Sequence, residues 1–262
     1  MFKFPPERIV CLSEETIETI YLLGEEKRIV GVTGFATRPL NVRKDKPRIS
    51  TFVSAEIDKI LQLKPDLVLA FSDVQAELSG KLILEGLNVF CFNQRDVSGI
   101  LAMIKTIGAL LDCPLKASKL TLSMSTRILE LKTRKLKFRP KVYFEEWNTP
   151  LISGIRWVSE IIEISGGRDI FSKKSNEAKS KNRIVLFSEV IKKNPDIIVA
   201  SWCGKKVDID EIRKREGWNH ITAVKLNQVF EMKSSEILQP GPAALIDGIS
   251  TLSNHISMFV DS

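Results

Sequence analysis

One pattern occurs twice along the chain, and it limits the folds that the chain can adopt. Residues 57–71 combine a short helical pattern, a Pro-Asp turn and a continuous apolar strand, and residues 189–201 repeat this order. Nearer the start of each half, residues 10–15 resemble residues 142–146. An internal repeat of this kind predicts two similar lobes, each large enough to bury its own core.

Short apolar strands alternate with helical patterns in both halves. The predicted strands are residues 8–12, 28–32, 67–71 and 88–92 in the first half and 141–144, 197–200 and 229–231 in the second. The predicted helices are residues 16–23, 57–63, 75–85 and 99–111, then 157–164, 209–214 and 243–259. Continuous apolar strands between helices are typical of parallel sheets that are covered on both faces. We therefore predict two Rossmann-like α/β lobes with mostly parallel sheets.

Residues 114–139 predict a single long α-helix between the lobes. A proline suits the first turn of a helix and cannot continue one, so Pro114 and Pro140 bound this segment. Two apolar stripes recur at helical spacing, the first formed by Leu120, Met124, Ile128 and Leu131 and the second by Leu122, Leu129 and Leu136. The predicted domains are residues 1–113 for the first lobe, 114–139 for the connecting helix and 140–262 for the second lobe.

The net charge of +7 comes from this same connecting segment. Eight basic residues lie between Lys116 and Arg139 against a single acid, Glu130, and the rest of the chain is balanced. We interpret the segment as the solvated face of a helix. The alternative is a basic stripe that binds nucleic acid or anionic lipid. Because the segment lacks interleaved aromatic residues and a glycine-rich phosphate loop, we predict no nucleic-acid partner.

The start of the sequence and its cysteines bear on location. The first residues do not show the pattern of an export signal and reach an apolar strand almost at once. The four cysteines are scattered without a Cys-x-x-Cys pair, which suits a reducing compartment. No run of about 18 apolar residues predicts a membrane-spanning helix. We therefore predict a cytoplasmic monomer, with a periplasmic or lipid-anchored protein as the alternative if a leader has been removed.

The predicted ligand site lies where the strands of each lobe end, because open α/β sheets bind ligands outside the carboxyl ends of their strands. Arginines there can grip a carboxylate or phosphate, and tryptophans supply flat apolar walls. We expect the ligand to be held in the cleft between the lobes. The candidate residues from this argument are Glu15, Arg95, Glu145, Glu146, Trp147, Arg156, Trp157, Trp202, Cys203 and Gln239.

Several of these residues also have a purely structural interpretation. Glu14 and Glu15 are placed to stabilise the start of a helix at Thr16. Trp157 begins an apolar helical stripe and so suits a core position. Under the same structural interpretation, Arg156 forms an ion pair with Glu145 or Glu146.

The sequence gives little indication of a catalytic or metal-binding site. The two histidines, His220 and His255, are far apart and lack metal-ligand spacing. Cys203 lies close to Lys205, as activated thiols often do, but no histidine is placed to act as its base. We therefore predict no catalytic residue and no metal site. The alternative is a cytoplasmic enzyme or binder that acts on a smaller anionic metabolite through Glu145 and Cys203.

Five short phrases, together with the two halves and the connecting helix, resemble a known family. The phrases are Arg8-Ile-Val-Cys-Leu12, Gly31-Val-Thr-Gly-Phe35, Ser50-Thr-Phe52, Ile57-Asp-Lys-Ile60 and Leu63-Lys-Pro-Asp-Leu-Val68. They resemble the helical-backbone, or class III, substrate-binding proteins that serve ABC importers of cobalamin, iron-siderophores and haem. The resemblance covers nearly the whole chain and is closest to the cobalamin-binding branch.

This resemblance implies a function and gives some residues a role in it. Phe35, Phe52 and Phe71 fall where the cobalamin-binding branch has tyrosine or tryptophan around the corrin ring. The family docks to its importer permease through one acidic residue per lobe. Asp58 stands at that place in the first lobe, and Glu189 stands one residue from it in the second. The resemblance thus implies a non-catalytic protein that binds cobalamin or a related corrinoid.

Overall fold

The computed structural model describes residues 3–50 and 56–261. The chain divides into two compact units. Unit 1 contains the residues up to Gln94 together with Ser98–Ser123, and unit 2 contains Arg95–Val97 and the residues from Met124 onward. Each unit is built on a mostly parallel sheet with helices, which confirms the predicted α/β fold class. The residue boundaries predicted for the lobes and the connecting helix stay a prediction.

Unit 1 is built on a sheet of five strands, which are β1 (Ile9–Cys11), β2 (Ile29–Thr33), β3 (Arg48–Ser50), β4 (Leu67–Phe71) and β5 (Val89–Phe92). All pairings are parallel, in the order β3-β2-β1-β4-β5. Every residue of β1 and β4 is buried, as expected for central strands that are covered on both faces. The edge strand β3 was not predicted because three residues are too few to show a period.

Four helices of unit 1 follow the predicted positions to within one or two residues, whereas the short helix Val42–Asp45 was not predicted. Apolar residues of β1, β3, β4, α3 and α4 form one core cluster. The helices are α1 (Glu14–Leu22), α2 (Val42–Asp45), α3 (Ile57–Gln62), α4 (Ala76–Leu84) and α5 (Val97–Leu110), with short 3-10 turns at Glu26–Arg28 and Asp73–Gln75.

The long helix α6 (Pro114–Thr133) follows and contributes residues to both units. It begins at the predicted proline but ends well before Pro140. The guanidinium of Arg134 donates to the Ser165 carbonyl at 2.9 Å and to the Ser257 hydroxyl at 2.7 Å. These bonds fix the chain directly after Thr133, where the helix ends although the apolar period continues to Leu136.

Unit 2 contains a second sheet, whose strands are β6 (Lys141–Asn148), β7 (Leu151–Ser153), β8 (Arg168–Asp169), β9 (Ile197–Ala200) and β10 (Val229–Glu231). The order is β10-β9-β6-β7, and β8 pairs with the start of β6. Among these described strands, β6 and β7 pair antiparallel and the other pairings are parallel. Strand β6 is longer than predicted because its last residues pair with β7, a short strand that the sequence pattern did not reveal.

The helices of unit 2 cover this sheet, and their apolar residues join those of β6, β9 and β10 in a core cluster around Tyr143, Trp202 and Trp218. The helix predicted for residues 243–259 contains a π-helical turn, Ala244–Gly248, before it becomes regular. The helices are α7 (Arg156–Ile164), α8 (Ser172–Ser175), α9 (Phe187–Lys193), α10 (Ile209–Arg213), α11 (Thr222–Lys225), α12 (Ser234–Ile237) and α13 (Ile249–Asp261), with 3-10 turns at Ser180–Arg183 and Trp218–His220.

Across the described ranges, none of the helices combines the length and the apolar character needed to cross a lipid bilayer.

Helices α5 and α6 approach each other closely at Gly108. A Cβ atom at this position would overlap the Cβ of Ala117. We expect Gly108→Ala to lower the free energy of unfolding by about 1–3 kcal/mol, because the two helices would have to move apart. Urea denaturation of the purified protein measures this change.

Gly80→Ala in α4 is the matched control. No atom lies within 4 Å of a Cβ built at Gly80. Since alanine favours a helix over glycine, this variant should gain about 0.5–1 kcal/mol. A loss of the same size in both variants would contradict the close packing at Gly108.

Candidate functional site

Strands β1 and β4 define the point in unit 1 at which the chain reverses its direction across the sheet. After β1 the chain moves outward to β2 and β3, and after β4 it moves to β5 on the other side. Open α/β sheets bind ligands at the carboxyl ends of such a strand pair. Gln75 ties these two ends together. Its Nε2 donates to the Leu12 carbonyl at 3.0 Å, and its Oε1 accepts from the Phe71 N–H at 2.9 Å.

Three buried glutamates stand in the first turns of α1, directly after β1. The carboxylate of Glu14 accepts hydrogen bonds from the Thr37 N–H, at 2.8 Å, and from the Thr37 hydroxyl. Glu18 forms an ion pair with Arg38 at 2.8 Å. Burial raises the pKa of Glu14 above its ordinary value, although the bonds from Thr37 oppose this effect. Acids in the first turn also stabilise the helix, so the structural interpretation of Glu14 and Glu15 stands beside the functional one.

Glu15 is the least compensated of the three. It is almost completely buried, and its Oε1 has no hydrogen-bond partner among the residues that the structure describes. Burial raises the pKa of its carboxyl to about 7, and the charges of Glu14 and Glu18 act in the same direction. The group therefore holds a proton up to about neutral pH. Contact between Glu15 and a ligand stays a prediction.

We expect Glu15→Gln to change the pH dependence of stability. The carboxyl has an ordinary pKa of 4.5 when the chain is unfolded and about 7 when it is folded. Its stabilising contribution is complete below the lower value and is lost as the pH rises through the higher one. Between about pH 5 and pH 8 the wild type should lose about 2–3 kcal/mol more than the variant. Urea titrations across this range measure the difference.

Glu85→Gln, which alters an exposed glutamate after α4, is the control for this measurement. It should leave the slope of stability against pH as in the wild type. Parallel curves for the wild type and Glu15→Gln would show that the buried carboxyl does not titrate in this range.

The phenylalanines predicted for the ligand site occupy different environments. Phe35 follows β2, and 56% of its surface is exposed. Phe71 is the last residue of β4 and is buried. Phe52 lies outside the described residues. Of the two that the structure describes, Phe35 therefore presents the accessible ring.

Strands β6 and β9 form the corresponding strand pair in unit 2. Strands β7 and β8 pair with β6 on one side, whereas β9 and β10 extend the sheet on the other. The carboxyl ends of β6 and β9 bring two predicted residues together. The Trp202 indole N–H donates to the Glu145 carboxylate at 3.1 Å. Both side chains are buried, so they shape the edge of the sheet from within.

The main partner of Glu145 is an arginine that the sequence analysis missed. Arg215 binds the carboxylate through both terminal nitrogens, at 2.6 and 2.9 Å. The guanidinium lies 4.6 Å from the centroid of the Trp218 ring. Burial raises the pKa of Glu145 above its ordinary value, and Arg215 and Trp202 oppose that effect by stabilising the carboxylate. We therefore describe the group as one half of a buried ion pair.

The neighbouring Glu146 is bound by a different arginine, Arg183. Arg183 binds its carboxylate at 2.6 and 2.8 Å and also donates to the Ser153 carbonyl. The Ser153 hydroxyl donates in return to the Arg183 carbonyl at 3.1 Å. These bonds hold the segment before α9 against β6 and β7. Neither arginine is signalled by a motif, because each is distant from its glutamate in the chain.

The predicted pairing of Arg156 with Glu145 or Glu146 is wrong. Arg156 instead contacts Asp96 at 3.3 Å and Glu160 at 3.0 Å. The other oxygen of Glu160 accepts the N–H of Val97 at 2.8 Å. Arg156 points to these acids because it lies at the exposed start of α7, whereas Glu145 and Glu146 are matched by arginines nearer to β6.

The three predicted tryptophans also differ in exposure. Trp157 is buried and donates its indole N–H to the Ile237 carbonyl at 2.9 Å, which agrees with the core interpretation. Trp202 is buried in the core cluster of unit 2. Trp147, near the end of β6, is half-buried, and its indole N–H donates to the Thr149 carbonyl at 3.0 Å. Of the three, only Trp147 is partly exposed, and it also packs against the core cluster of unit 2.

The remaining predicted residues lie on loops or helix starts. Cys203 is exposed after β9, and Arg95 and Gln239 are half-buried. Asp58 is exposed in the first turn of α3, whereas Glu189 accepts the Leu186 N–H at 2.7 Å at the start of α9. Ligand contacts and permease docking by these residues stay predictions. Within the described ranges, no three His, Cys, Asp or Glu side chains form a group that could hold a metal ion.

The buried pair of Glu145 and Arg215 should contribute strongly to the stability of unit 2. We expect Arg215→Met to lower the free energy of unfolding by about 3–5 kcal/mol, because it leaves a carboxylate buried without a counter-charge. Adding Glu145→Gln should recover part of this loss, since no buried charge then remains. Chemical denaturation of the single and double variants measures both changes.

Lys81→Met removes the partner of Glu77 in an exposed ion pair and serves as the control. Exposed pairs contribute little, so this variant should unfold almost as the wild type does. Arg215→Met and Lys81→Met with similar small effects would contradict the importance of the buried pair.

Comparison with known proteins identifies the family. The family model described as periplasmic binding protein matches residues 9–236. An uncharacterized ABC transporter substrate-binding lipoprotein of Bacillus subtilis, YvrC, is 27% identical over 97% of this chain and 81% of its own length. A vitamin B12-binding protein of Vibrio campbellii is 25% identical over 90% of this chain and 84% of its own length.

Solved structures share the fold at lower identity. The haem-binding protein RhuT from Roseiflexus has a TM-score of 0.83 and 20% identity, and covers 97% of this chain and 99% of its own. A possible iron-binding periplasmic protein from Staphylococcus epidermidis has a TM-score of 0.82 and 24% identity, with 96% and 99% covered. The vitamin B12-binding protein BtuF of Vibrio cholerae has a TM-score of 0.78 and 21% identity, with 99% and 100% covered.

These relatives contradict the predicted location, and they decide between a binding protein and an enzyme. The predicted cytoplasmic location is wrong, because the relatives are periplasmic proteins or a lipoprotein. The first residues, on which that prediction rested, are thus no guide to location. The alternative of an enzyme acting through Glu145 and Cys203 is wrong as well, since members of this family bind substrates and pass them to transporters. This chain belongs to the periplasmic binding protein family and is a substrate-binding protein rather than an enzyme.

Proposed function

We propose that the substrate is a corrinoid of the cobalamin type, bound at the carboxyl edges of the two sheets. Similarity to curated vitamin B12-binding proteins extends over about nine-tenths of the chain, for example 90% with the protein of Vibrio campbellii. Haem-binding and iron-binding relatives share the fold, so the choice among these ligands depends on the residues at the strand ends.

The observation that carries the proposal is the acidic strand end of unit 1. Glu14 and Glu15 are buried beside the carboxyl ends of β1 and β4. Carboxyl oxygens at such an edge favour a ligand that offers hydrogen-bond donors. The rim of a corrinoid carries amide groups, which donate. The rim of haem carries two propionates, which offer no donor to Oε1 of Glu15, an oxygen that lacks a hydrogen-bond partner among the described residues.

The positions of the usual haem ligands support the same choice. Haem iron is commonly held by histidine, tyrosine, methionine or cysteine. Tyr143 is buried within β6, and His255 stacks on Phe230 at 4.1 Å. Tyr21 lies at the far end of α1, and His220 precedes α11, near the amino end of β9. Cys203, after β9, and Cys91, in β5, are exposed cysteines, and we test Cys203 first as a haem ligand because it follows a central strand of its sheet.

Two accessible aromatic rings at the strand ends suit the flat face of a corrin ring. They are Phe35 after β2 in unit 1 and Trp147 near the end of β6 in unit 2. Aromatic side chains bury a large apolar area against a planar ligand. We propose that these two residues contact the ring, and that the buried Trp157 and Trp202 act by shaping the sheet edge behind them.

Titration with cobalamin, followed by visible absorbance and calorimetry, tests the proposal. We expect saturable binding at micromolar concentrations or below. Phe35→Ala and Trp147→Ala should each weaken it about tenfold, which corresponds to about 1.4 kcal/mol. The control is Phe4→Ala, which removes an exposed ring outside the strand ends and should leave affinity unchanged.

A parallel titration with haem separates the two ligand classes. Saturable haem binding that is lost in Cys203→Ser, together with no binding of cobalamin, would replace the corrinoid by haem. Equal loss of cobalamin affinity in Phe4→Ala and Phe35→Ala would show that the strand ends are not where the ring binds.

A further inference from the structure

Helix α6 carries three exposed leucines on one face. Leu115, Leu122 and Leu129 expose 84%, 67% and 62% of their surface. Their spacing of seven residues is close to two helical turns, so the side chains form a single row. We call this row the leucine stripe.

The leucine stripe lies opposite the face that α6 buries. The buried face is formed by residues at the spacing of a core stripe, namely Ala117, Thr121, Met124, Ile128 and Leu131. The core therefore does not need the three exposed leucines. Single exposed apolar residues are common, but an ordered row on one helix indicates a surface that binds something.

Lysines flank the leucine stripe. At 3.6 residues per turn, Lys119 lies on one side of the row and Lys132 lies on the other. Both are exposed, and the exposed Lys135 and Lys137 follow directly after the helix. Long lysine side chains beside an apolar row can lay their stems along it and keep their charges outward.

The other basic residues of this segment serve the fold. Lys116 pairs with Glu25 at 2.8 Å, and Arg127 contacts Glu130 at 3.3 Å. Arg134 and Arg139 hold carbonyl groups of unit 2. The positive charge that remains for a partner is thus concentrated in the lysines around the leucine stripe.

We compare three kinds of binding partner for this face, and its chemistry favours one of them. Nucleic acid would be bound through phosphates, for which exposed leucines are of no use. A second copy of the chain would bring like charges together along the helix. An anionic lipid surface uses both features, because the leucines enter the headgroup layer and the lysines meet the lipid charges. The substrate-binding relative from Bacillus subtilis is a lipoprotein, a class held at a membrane surface.

We propose that the outer face of α6 binds the surface of an anionic lipid bilayer, with the leucine stripe inserted and Lys119 and Lys132 on the lipid charges. This interaction is separate from ligand binding at the strand ends. It would hold the protein against a membrane with a defined face.

Sedimentation with lipid vesicles tests the proposal on the full chain. We expect binding to vesicles that contain phosphatidylglycerol, little binding to pure phosphatidylcholine, and a steep loss on adding salt. The double variant Leu122→Gln/Leu129→Gln should weaken binding about tenfold or more, and so should Lys119→Gln/Lys132→Gln. All four positions are exposed, so we expect the variants to fold.

Two control variants match these changes in chemistry and number. Leu40→Gln/Leu84→Gln alters two exposed leucines outside α6, and Lys105→Gln/Lys192→Gln removes the same charge elsewhere. Neither should alter vesicle binding. Failure of the wild type to bind phosphatidylglycerol vesicles, or equal losses in test and control variants, would overturn the proposal.

Two further measurements address the other occupants. Light scattering that shows a dimer abolished by Leu122→Gln/Leu129→Gln would assign the face to a second copy instead. Salt-sensitive binding of duplex DNA that needs the lysines but not the leucines, without vesicle binding, would assign it to nucleic acid. Cobalamin titration of the same variants should be unchanged, which separates this surface from the ligand site.

Discussion

Both sheets end in buried carboxyl groups, and each of these groups has to be neutralised for the chain to fold. A charge that leaves water without compensation is strongly destabilising. Unit 2 meets this requirement with arginines: Arg215 holds Glu145, and Arg183 holds Glu146. In unit 1, Arg38 pairs with Glu18, while Glu15 holds a proton up to about neutral pH because burial raises its pKa to about 7. These pairings help to position helix α1, the loop before α9 and the segment around Arg215.

The difference between the two sheet edges bears on what the protein can bind. In unit 2 the charges cancel within arginine–glutamate pairs, and an apolar core stands directly behind them. In unit 1 one oxygen of Glu15 has no hydrogen-bond partner among the described residues, which favours ligand groups that donate hydrogen bonds. This asymmetry supports a corrinoid over ligands with anionic rims, within a family that binds both kinds. Phe35 in unit 1 and the half-buried Trp147 in unit 2 are the aromatic residues proposed to contact the ligand.

Charge pairing also distinguishes the basic residues around α6 that have partners within the chain from those that have none among the described residues. From the sequence it is one run of positive charge, but half of its members pair with acids or donate to carbonyl groups of the same chain. Arg134 and Arg139, which follow the helix, donate to carbonyl groups of unit 2, and a count of charges does not reveal this. What is left is a smaller group of lysines around an exposed leucine row. The interpretation of the segment as an ordinary solvated face therefore fits only part of it.

The sequence by itself determined the two α/β units, the positions of most strands and helices, and the placement of polar residues at strand ends. These follow from local apolar periods and from the internal repeat, which need no knowledge of distant contacts. The tertiary structure alone decided the partners: Arg215 and Arg183 for the glutamates, Asp96 and Glu160 for Arg156, and Ile237 for the indole of Trp157. It also decided which aromatic rings are accessible. Such pairings join residues far apart in the chain, and burial depends on what packs against a side chain rather than on its neighbours in sequence.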